Sequence, residues 1–368
     1  MTVQAAPDMI KPPRIQVGPI AWVRDNLFSS VSNSILTLLG VWLIYTVVTG
    51  AFNFIVTTAT WTGADGSACR ANLGACWPMV TAKFGQFMYG RYPDAERWRV
   101  NLTYALAIAS IVPLMIPSVP GKKWNAVFVF AIFPVLAFLL IVGGYFGLEY
   151  VATEFWGGLM VTLVVASVGI TASFPLGVML ALGRRSKMPL VRWASVTFIE
   201  FVRGVPLITI LFMSSVMLPL FLPPGVSFDK LLRALVGVAL FAAAYMAETV
   251  RGGLQAIPRG QTEAAEALGL SYPQRTFFIV LPQALKLVVP GIVNSFIGLF
   301  KDTSLVLIIG LFDLLGVVQQ NNADQKWFAP TTVITGYVFA GFIFWIFCFG
   351  MSRYSLFIER KLAVGDRK

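Results

Sequence analysis

The sequence EAAEALG, residues 263–269, stands between two long apolar runs. Thr262 is a candidate cap for a helix that carries Glu263 and Glu266 near its start, since carboxylates favour the positive N-terminal end of a helix. Gly269 follows the alanines and the leucine and can adopt the left-handed conformation that ends a helix. The stretch therefore predicts a short helix from about Thr262 to Gly269.

A second helix is predicted after a short turn. Ser271 and Gln274 have the spacing of a capping box, and Pro273 is tolerated in a first helical turn. Pro282 closes the sequence IVLP at residues 279–282 and limits or kinks this helix, because proline removes a backbone hydrogen bond. A small, acidic, well-capped helical pair in a basic, apolar chain is suited to insert into a groove on a partner.

The spacing in this segment is more specific than its composition. Glu-Ala-Ala, three residues, Gly, nine residues and Ile-x-Leu-Pro resembles the EAA loop of ABC-importer permease subunits, without a departure. In that family the loop is a coupling helix that lies in a cleft of a cytoplasmic ATPase subunit. The alternative is an ordinary amphipathic helical loop between spans. The resemblance implies ATPase coupling through Glu263, Ala264, Ala265, Glu266, Gly269 and Pro282.

The composition indicates a membrane protein and excludes several other classes. Of 368 residues, 57% are hydrophobic and 12% charged, and the mean hydropathy is +0.76, outside the range of soluble domains. The net charge of +11 comes from short basic clusters beside apolar runs rather than from one polar domain, which argues against nucleic acid. Histidine is absent, and neither metal-ligand spacing nor a Gly-x4-Gly-Lys-Ser/Thr phosphate loop is present. We therefore expect neither an enzyme nor a metal site, and no cofactor in this chain.

Apolar runs long enough to cross a bilayer recur along the sequence. They predict an all-α integral membrane fold with about eight transmembrane helices. The predicted spans lie near residues 30–53, 100–117, 124–147, 156–183, 192–222, 231–251, 286–310 and 331–352.

The distribution of basic residues predicts the orientation. All basic clusters fall on one side if both termini are cytoplasmic, whereas the opposite loops are balanced or acidic. This topology places the EAA loop, about residues 252–285, in the cytoplasm. The first apolar run is too long for a cleavable signal and should remain as an anchor. The clusters are Lys11, Arg14 and Arg24; Lys122 and Lys123; Arg184, Arg185 and Lys187; Arg251, Arg259, Arg275 and Lys286; and Arg353, Arg360, Lys361, Arg367 and Lys368.

One large extracytoplasmic insertion is predicted at about residues 57–99. It contains Cys69 and Cys76, and an oxidising compartment favours a disulfide between them over two free thiols. Cys348 lies inside the last predicted span and is most simply a small packing residue.

The chain is predicted to divide near residue 150. Residues 151–368 contain five spans with the EAA loop between the third and fourth, and they resemble the permease core of the polar-amino-acid branch of the family, an ABC type I importer core. Residues 1–150 add three spans. The N-terminal part resembles the membrane subunits of general L-amino acid importers of Gram-negative bacteria, and the length resembles that of their second, M-type, subunit. The resemblance rests on the segments 74–77, 96–99, 200–207, 244–248, 251–258, 260–261 and 301–305.

Charged residues inside the predicted spans indicate where a substrate could pass, since buried charge is costly unless it is paired or hydrated. An amino acid carries a carboxylate and an ammonium group, which opposite charges facing one cavity would suit. Lys301 and Asp302 are adjacent, hence on different helix faces, and lie past the middle of the predicted seventh span. The predicted path residues are Lys301, Asp302, Thr303, Ser304 and Glu248.

Two charged pairs have simpler interpretations. Glu200 and Arg203 are three residues apart, which favours a structural pair on one helix face. Glu248 and Arg251 are also three residues apart. Glu248 belongs either to a gate or to a pair with Arg251 whose charged ends extend towards the membrane interface.

These observations predict a permease subunit of an ATP-driven amino-acid importer in the bacterial inner membrane. The alternative is an ion-coupled secondary transporter of polar small molecules, which would hold its own coupling-ion site in broken helices. The resemblance implies a second homologous permease subunit, which we expect to form a heterodimer, with a homodimer as the alternative. It also implies two cytoplasmic ATPase subunits that bind ATP and Mg²⁺, a periplasmic amino-acid-binding protein and a surrounding lipid bilayer.

Overall fold

A computed structural model describes residues 18–223, 225–226 and 228–364. The predicted cytoplasmic position of the termini concerns residues outside these ranges, including Lys11, Arg14, Arg367 and Lys368. The described residues form helices and turns, and their extended pairing is confined to isolated β-bridges. The chain forms two units, Met1–Pro78 and Met79–Lys368.

The first unit consists of three helices and a disulfide-closed loop. Helix α1 is Pro19–Leu27, α2 is Val31–Phe52 with a π-helical turn at Asn53–Thr57, and α3 is Ser67–Arg70. Ser30 caps α2 by accepting a hydrogen bond from the backbone N–H of Asn33. Helix α2 is apolar along its length, as expected for a helix that crosses a bilayer. Cys69 and Cys76 are joined by a disulfide with a Cα–Cα distance of 5.5 Å.

The second unit contains the remaining helices, the first of which begins at its boundary. In chain order they are α4 Trp77–Tyr89, α5 Arg97–Met115, α6 Lys122–Val127, α7 Phe133–Val142, α8 Gly158–Arg184, α9 Pro189–Gly204, α10 Leu207–Phe212, α11 Lys230–Ala256, α12 Arg259–Ala267, α13 Tyr272–Gln274, α14 Leu281–Leu287, α15 Val289–Asp302, α16 Leu314–Asn321 and α17 Pro330–Val364. Short π-helical segments, Phe128–Ile132, Met213–Met217 and Arg275–Val280, continue α6, α10 and α13. Short 3₁₀ segments are Asp94–Glu96, Thr153–Phe155, Leu218–Phe221, Thr303–Ile309 and Gln325–Trp327.

The prediction of membrane-spanning helices is confirmed, with one correction. Within the described ranges, seven helices are long and apolar enough to span a bilayer. The predicted fifth span, 192–222, is not one helix, because its two parts, Pro189–Gly204 and Leu207–Phe221, are bent by 106°. Val205 has the extended backbone that a residue before proline prefers, and Pro206 is extended as well. The continuous apolar run therefore contains a sharp turn at Val205–Pro206.

Helices α8 and α11 form the centre of the second unit. A Cβ atom at Gly177 of α8 would lie 2.6 Å from the Met246 side chain of α11, so glycine permits the two helices to approach closely. Val165 of α8, Val238 of α11 and Leu299 of α15 belong to one buried cluster. The three helices are therefore held together by apolar packing along their length.

A buried arginine stabilises the start of the second unit. Arg99 is fully buried, and its Nε lies 2.9 Å from a carboxylate oxygen of Glu96. Its Nη1 donates a hydrogen bond to the backbone oxygen of Glu149 at 2.9 Å. The hydroxyl of the buried Tyr92 donates to the backbone oxygen of Ile141 at 2.7 Å. These bonds connect the first turn of α5 and the segment before it to the end of α7 and the segment after it.

Candidate functional site

The first helix of the EAA loop begins earlier than the sequence predicts. Helix α12 starts at Arg259 with Pro258 at the N-cap position, so Thr262 lies inside the helix and the prediction that it caps the helix is wrong. Proline has a fixed φ and is compatible with a helix start, and this favoured the earlier boundary. Of the residues in α12, Ala265 is the buried one, whereas Glu263 and Glu266 are exposed.

Gly269 ends this helix as predicted. Its φ of +75° lies in the left-handed region, which favours glycine. The N–H of Gly269 donates to the Glu266 oxygen at 2.9 Å, and the N–H of Leu270 donates to the Ala265 oxygen at 3.1 Å. These two bonds are those of a Schellman motif, which satisfies carbonyls left free at a helix end. The turn of the loop is thus defined by one backbone conformation.

The second half of the loop is a helix that contains a π-helical turn. The backbone N–H of Ser271 donates to the Gln274 side chain at 2.9 Å, which is part of the predicted capping box. The predicted kink at Pro282 takes the form of the π-helical segment Arg275–Val280, followed by α14. Proline lacks a backbone N–H and crowds the preceding turn, and a wider turn relieves this conflict. The helix therefore continues past Pro282 to Leu287.

An ion pair connects the two halves of the loop. The Arg275 guanidinium contacts the Glu266 carboxylate and stacks over the ring of Tyr272, 5.3 Å from its centroid. The Gln283 amide donates to the Gln261 side chain at 3.2 Å. Glu266 thus has an internal partner within the loop. The prediction that Glu263 and Glu266 lie near the start of this helix is wrong, because α12 begins at Arg259 and its first turn contains no acidic residue.

The outer surface of the loop carries large apolar side chains. Leu268 is 81% exposed and Phe278 is 73% exposed, and Tyr272 and Phe277 are also exposed. Ordinary surface loops seldom display several such side chains together, and a contiguous exposed apolar patch commonly marks an interaction surface. This patch was not predicted from the sequence, although aromatic residues in a polar loop are a visible signal. We call Leu268, Tyr272, Phe277 and Phe278 the loop patch.

The loop is packed firmly against the spanning helices. Leu254 of α11 and Leu281 and Ala284 of α14 belong to one buried cluster. A Cβ atom at Gly253 would lie 2.9 Å from the Val288 side chain, so α11 and the start of α15 approach closely. A displacement of the loop would therefore be transmitted to α11 and α15.

A cavity of about 350 Å³ lies between α8, α11 and α15. Asp302 supplies the charged group among the described residues that line it. Polar groups come from Ser173 of α8, Tyr245 of α11, and Asn294 and Ser295 of α15. Apolar side chains complete the lining: Phe241, Ala242, Met246, Phe296 and Leu299, with Gly298. A cavity of this size with a few convergent polar groups is typical of a small-molecule site.

The structure separates the residues predicted to line the path. Asp302 lines the cavity, whereas Lys301 is exposed outside it, in agreement with the prediction that the two lie on different helix faces. The Thr303 hydroxyl is buried and donates to the Phe300 backbone oxygen at 2.8 Å. The Ser304 hydroxyl donates to the Lys301 backbone oxygen at 3.0 Å. The two hydroxyls therefore bond within their own helix.

Glu248 is the centre of an ion-pair network that joins three helices. Its carboxylate lies 3.0 Å from Arg184 of α8, 3.6 Å from Arg203 of α9 and 2.7 Å from Arg251 of α11. Glu200 lies 2.7 Å from Arg184. The expected Glu200–Arg203 pair is thus wrong, because each of these residues meets a partner on a neighbouring helix. The proximity of Glu248 to Arg251 agrees with the spacing prediction.

The fold and the loop define a class: a multi-span helical transport subunit with an exposed helical loop. Residues 173–364 match the model of the family described as binding-protein-dependent transport system inner membrane component, and the chain belongs to this family. The resemblance to the permease subunits of ABC importers is thereby confirmed.

Individual relatives share most of the chain. An inner membrane amino-acid ABC transporter permease protein of Escherichia coli K12, YhdY, is 54% identical over 346 residues, 94% of each chain. The glutamate/glutamine/aspartate/asparagine transport system permease protein BztC of Rhodobacter capsulatus is 40% identical over 415 aligned positions, 95% of each chain. A crystal structure of an amino acid ABC transporter with histidines aligns at 27% identity and a TM-score of 0.49, covering 55% of this chain and 92% of that one.

Proposed function

We propose that this chain is the membrane permease subunit of an ATP-driven importer of amino acids. The observation that carries the proposal is the loop patch, which is exposed and belongs to a loop packed against the helices that line a polar cavity. The relatives are amino-acid permease proteins, and the substrate class is extended from them to this chain. The chain is not an enzyme, and ATP is hydrolysed on separate subunits.

The EAA loop is the proposed contact with the ATPase. Tyr272, Phe277, Phe278 and Leu268 would enter a cleft of a cytoplasmic ATPase subunit that binds ATP and Mg²⁺, with Glu263 at the rim. ATP binding can move the permease only if this contact differs in free energy between two conformations. Packing of α14 against α11 then carries the movement to the cavity.

The cavity beside Asp302 is the proposed substrate position. A carboxylate that faces a polar cavity can pair with the ammonium group of an amino acid, and Asn294 and Ser295 can hydrogen-bond to it. Lys301 lies outside the cavity, so we propose that it contacts lipid, a neighbouring helix or the partner permease instead. Thr303 and Ser304 support the helix at this point through their backbone bonds.

The complete transporter would contain this chain and a second permease subunit in a heterodimer, two ATPase subunits and a periplasmic binding protein. We further propose that residues 151–368 form the permease core and residues 1–150 an extension, with both termini in the cytoplasm of a bacterial inner membrane. The disulfide-closed loop around Cys69 and Cys76 would then face the periplasm.

Reconstitution tests this proposal against ion-coupled transport. The tagged chain should co-purify with an ATP-hydrolysing subunit, and proteoliposomes should accumulate amino acids only with ATP and the binding protein present. Uptake driven by an ion gradient in the absence of ATP would instead support a secondary transporter. Purification of an active transporter without an ATPase would refute the proposal.

A further inference from the structure

A second cavity, of about 480 Å³, lies where α8, α9 and the end of α11 meet. It is on the EAA-loop side of the unit, because α11 ends directly before that loop. Its lining is dominated by guanidinium groups rather than by apolar side chains. The lining residues are Arg184, Arg185, Arg192, Val196, Arg251 and Gln255.

The positive charge of this cavity is only partly compensated. Arg184 and Arg251 pair with Glu248, whereas Arg185 donates through Nη1 to the Leu254 backbone oxygen at 2.9 Å. Within the part of the chain that the structure describes, neither Arg185 nor Arg192 contacts a carboxylate. Each guanidinium has five N–H donors, so most donors of these two side chains remain available to a ligand.

The surroundings of Arg192 place the cavity at the surface of the membrane. Trp193 is 67% exposed and Leu190 is 75% exposed, and Met188 before them is also exposed. Tryptophan is enriched at the level of the lipid headgroups, and apolar side chains beside it face the acyl chains. A ligand at Arg192 therefore has an aqueous side and an apolar side.

We propose that this cavity binds the phosphate group of an anionic membrane lipid. Guanidinium groups bind phosphate oxygens in bidentate geometry, and basic pockets between membrane helices are suited to acidic headgroups. A free phosphate ion would meet the same arginines. The exposed Leu190 and Trp193 favour the lipid, because its acyl chains would cover them.

A bound headgroup would also stabilise the junction of three helices. Arg184 and Arg251 line the cavity and at the same time hold Glu248, so an anion there offsets the repulsion among the arginines. Arg185 fixes the end of α11 through Leu254. Lipid occupancy would thus strengthen the contacts from which the EAA loop extends.

Native mass spectrometry of the detergent-purified importer complex tests the proposal. The complex is titrated with phosphatidylglycerol, with phosphatidylcholine and with inorganic phosphate. We expect phosphatidylglycerol to bind with clear preference over phosphatidylcholine, and millimolar inorganic phosphate not to displace it. Equal binding of the two lipids would overturn the proposal, and displacement by inorganic phosphate would reassign the cavity to a free anion.

Matched arginine variants locate the binding. Arg192→Gln should weaken phosphatidylglycerol binding roughly fivefold, the effect of one basic residue at a membrane surface, and Arg192→Lys should keep most of it. Arg192 is exposed, so its replacement should leave the complex assembled. The control is Arg360→Gln, an exposed arginine in the last turns of α17 and outside this cavity. An unchanged lipid preference in Arg192→Gln, or an equal loss in Arg360→Gln, would refute the assignment.

Discussion

Replacement of Gly269 by valine should uncouple transport while the chain remains folded and inserted. At a φ of +75°, an L-residue with a Cβ is strained by roughly 1–2 kcal/mol, and a β-branched residue lies at the upper end. A Cβ atom at Gly269 would meet nothing within 4 Å, so no steric clash adds to this strain. The effect is therefore confined to the backbone conformation that makes the two Schellman bonds.

This strain lowers the population of the correctly capped loop by roughly 5- to 30-fold. If the loop contact transmits ATP binding to the permease, the rate of ATP-driven uptake should fall by a similar factor. Gly269→Asn should have a small effect, because asparagine tolerates the left-handed region better than other residues. We expect the rate of uptake to decrease in the order wild type, Gly269→Asn, Gly269→Ala, Gly269→Val.

Gly260→Val is the matched control in the same loop. Gly260 lies in α12, and a Cβ atom there would also meet nothing within 4 Å, but its backbone is not left-handed. Each variant is purified as the assembled complex, and uptake and ATPase rates are measured in proteoliposomes. Wild-type uptake in a stably assembled Gly269→Val complex would refute the role assigned to this turn. An equal loss in Gly260→Val would show that loop surface, rather than the cap, is responsible.

Three further predictions concern the cavity, the buried aspartate and the topology. Asp302→Asn should preserve complex yield and reduce uptake selectively among acidic, neutral and basic amino acids; poor assembly, or an unchanged selectivity profile, would contradict the proposed contact. Burial raises the pKa of Asp313 to about 6, above its unfolded value of about 4, so the folded state binds the proton more tightly. The stabilisation contributed by Asp313 should therefore decline by roughly 3 kcal/mol as the pH rises from about 4 to about 6. Melting curves measured across this pH range should show the decline for the wild type but not for Asp313→Asn. Impermeant thiol reagents on intact cells should label Leu73→Cys, which is 88% exposed in the disulfide-closed loop, but not Thr262→Cys, and the reverse labelling would invert the topology.

Features with local signals were predictable from the sequence. The apolar runs gave the spanning helices, since a bilayer requires a fixed length of apolar chain. Gly269 correctly predicted the end of α12, because a left-handed backbone conformation depends on residue type more than on distant contacts. The start of α12 was missed, since Pro258 and Thr262 both resemble helix starts and the local sequence does not rank them.

Features that depend on packing between helices were not predictable. Spacing along one helix suggested a Glu200–Arg203 pair, whereas the partners, Arg184 and Glu248, come from helices that only the fold brings near. Ser173 and Asn294 reach the same cavity from α8 and α15, and nothing in either segment indicates this. The bend at Val205–Pro206 had a visible proline, but hydrophobicity alone suggested one continuous span.

Site-directed cross-linking of the loop patch tests the central claim most directly. Cysteines introduced as Leu268→Cys and Phe278→Cys, in the assembled complex, should form cross-links to the ATPase subunit whose yield changes when ATP is added. Trp193→Cys, which is also exposed but lies on α9, is the control and should not cross-link to that subunit. Absence of a cross-link from both loop positions in an active complex would contradict the proposal that the EAA loop couples this chain to ATP hydrolysis.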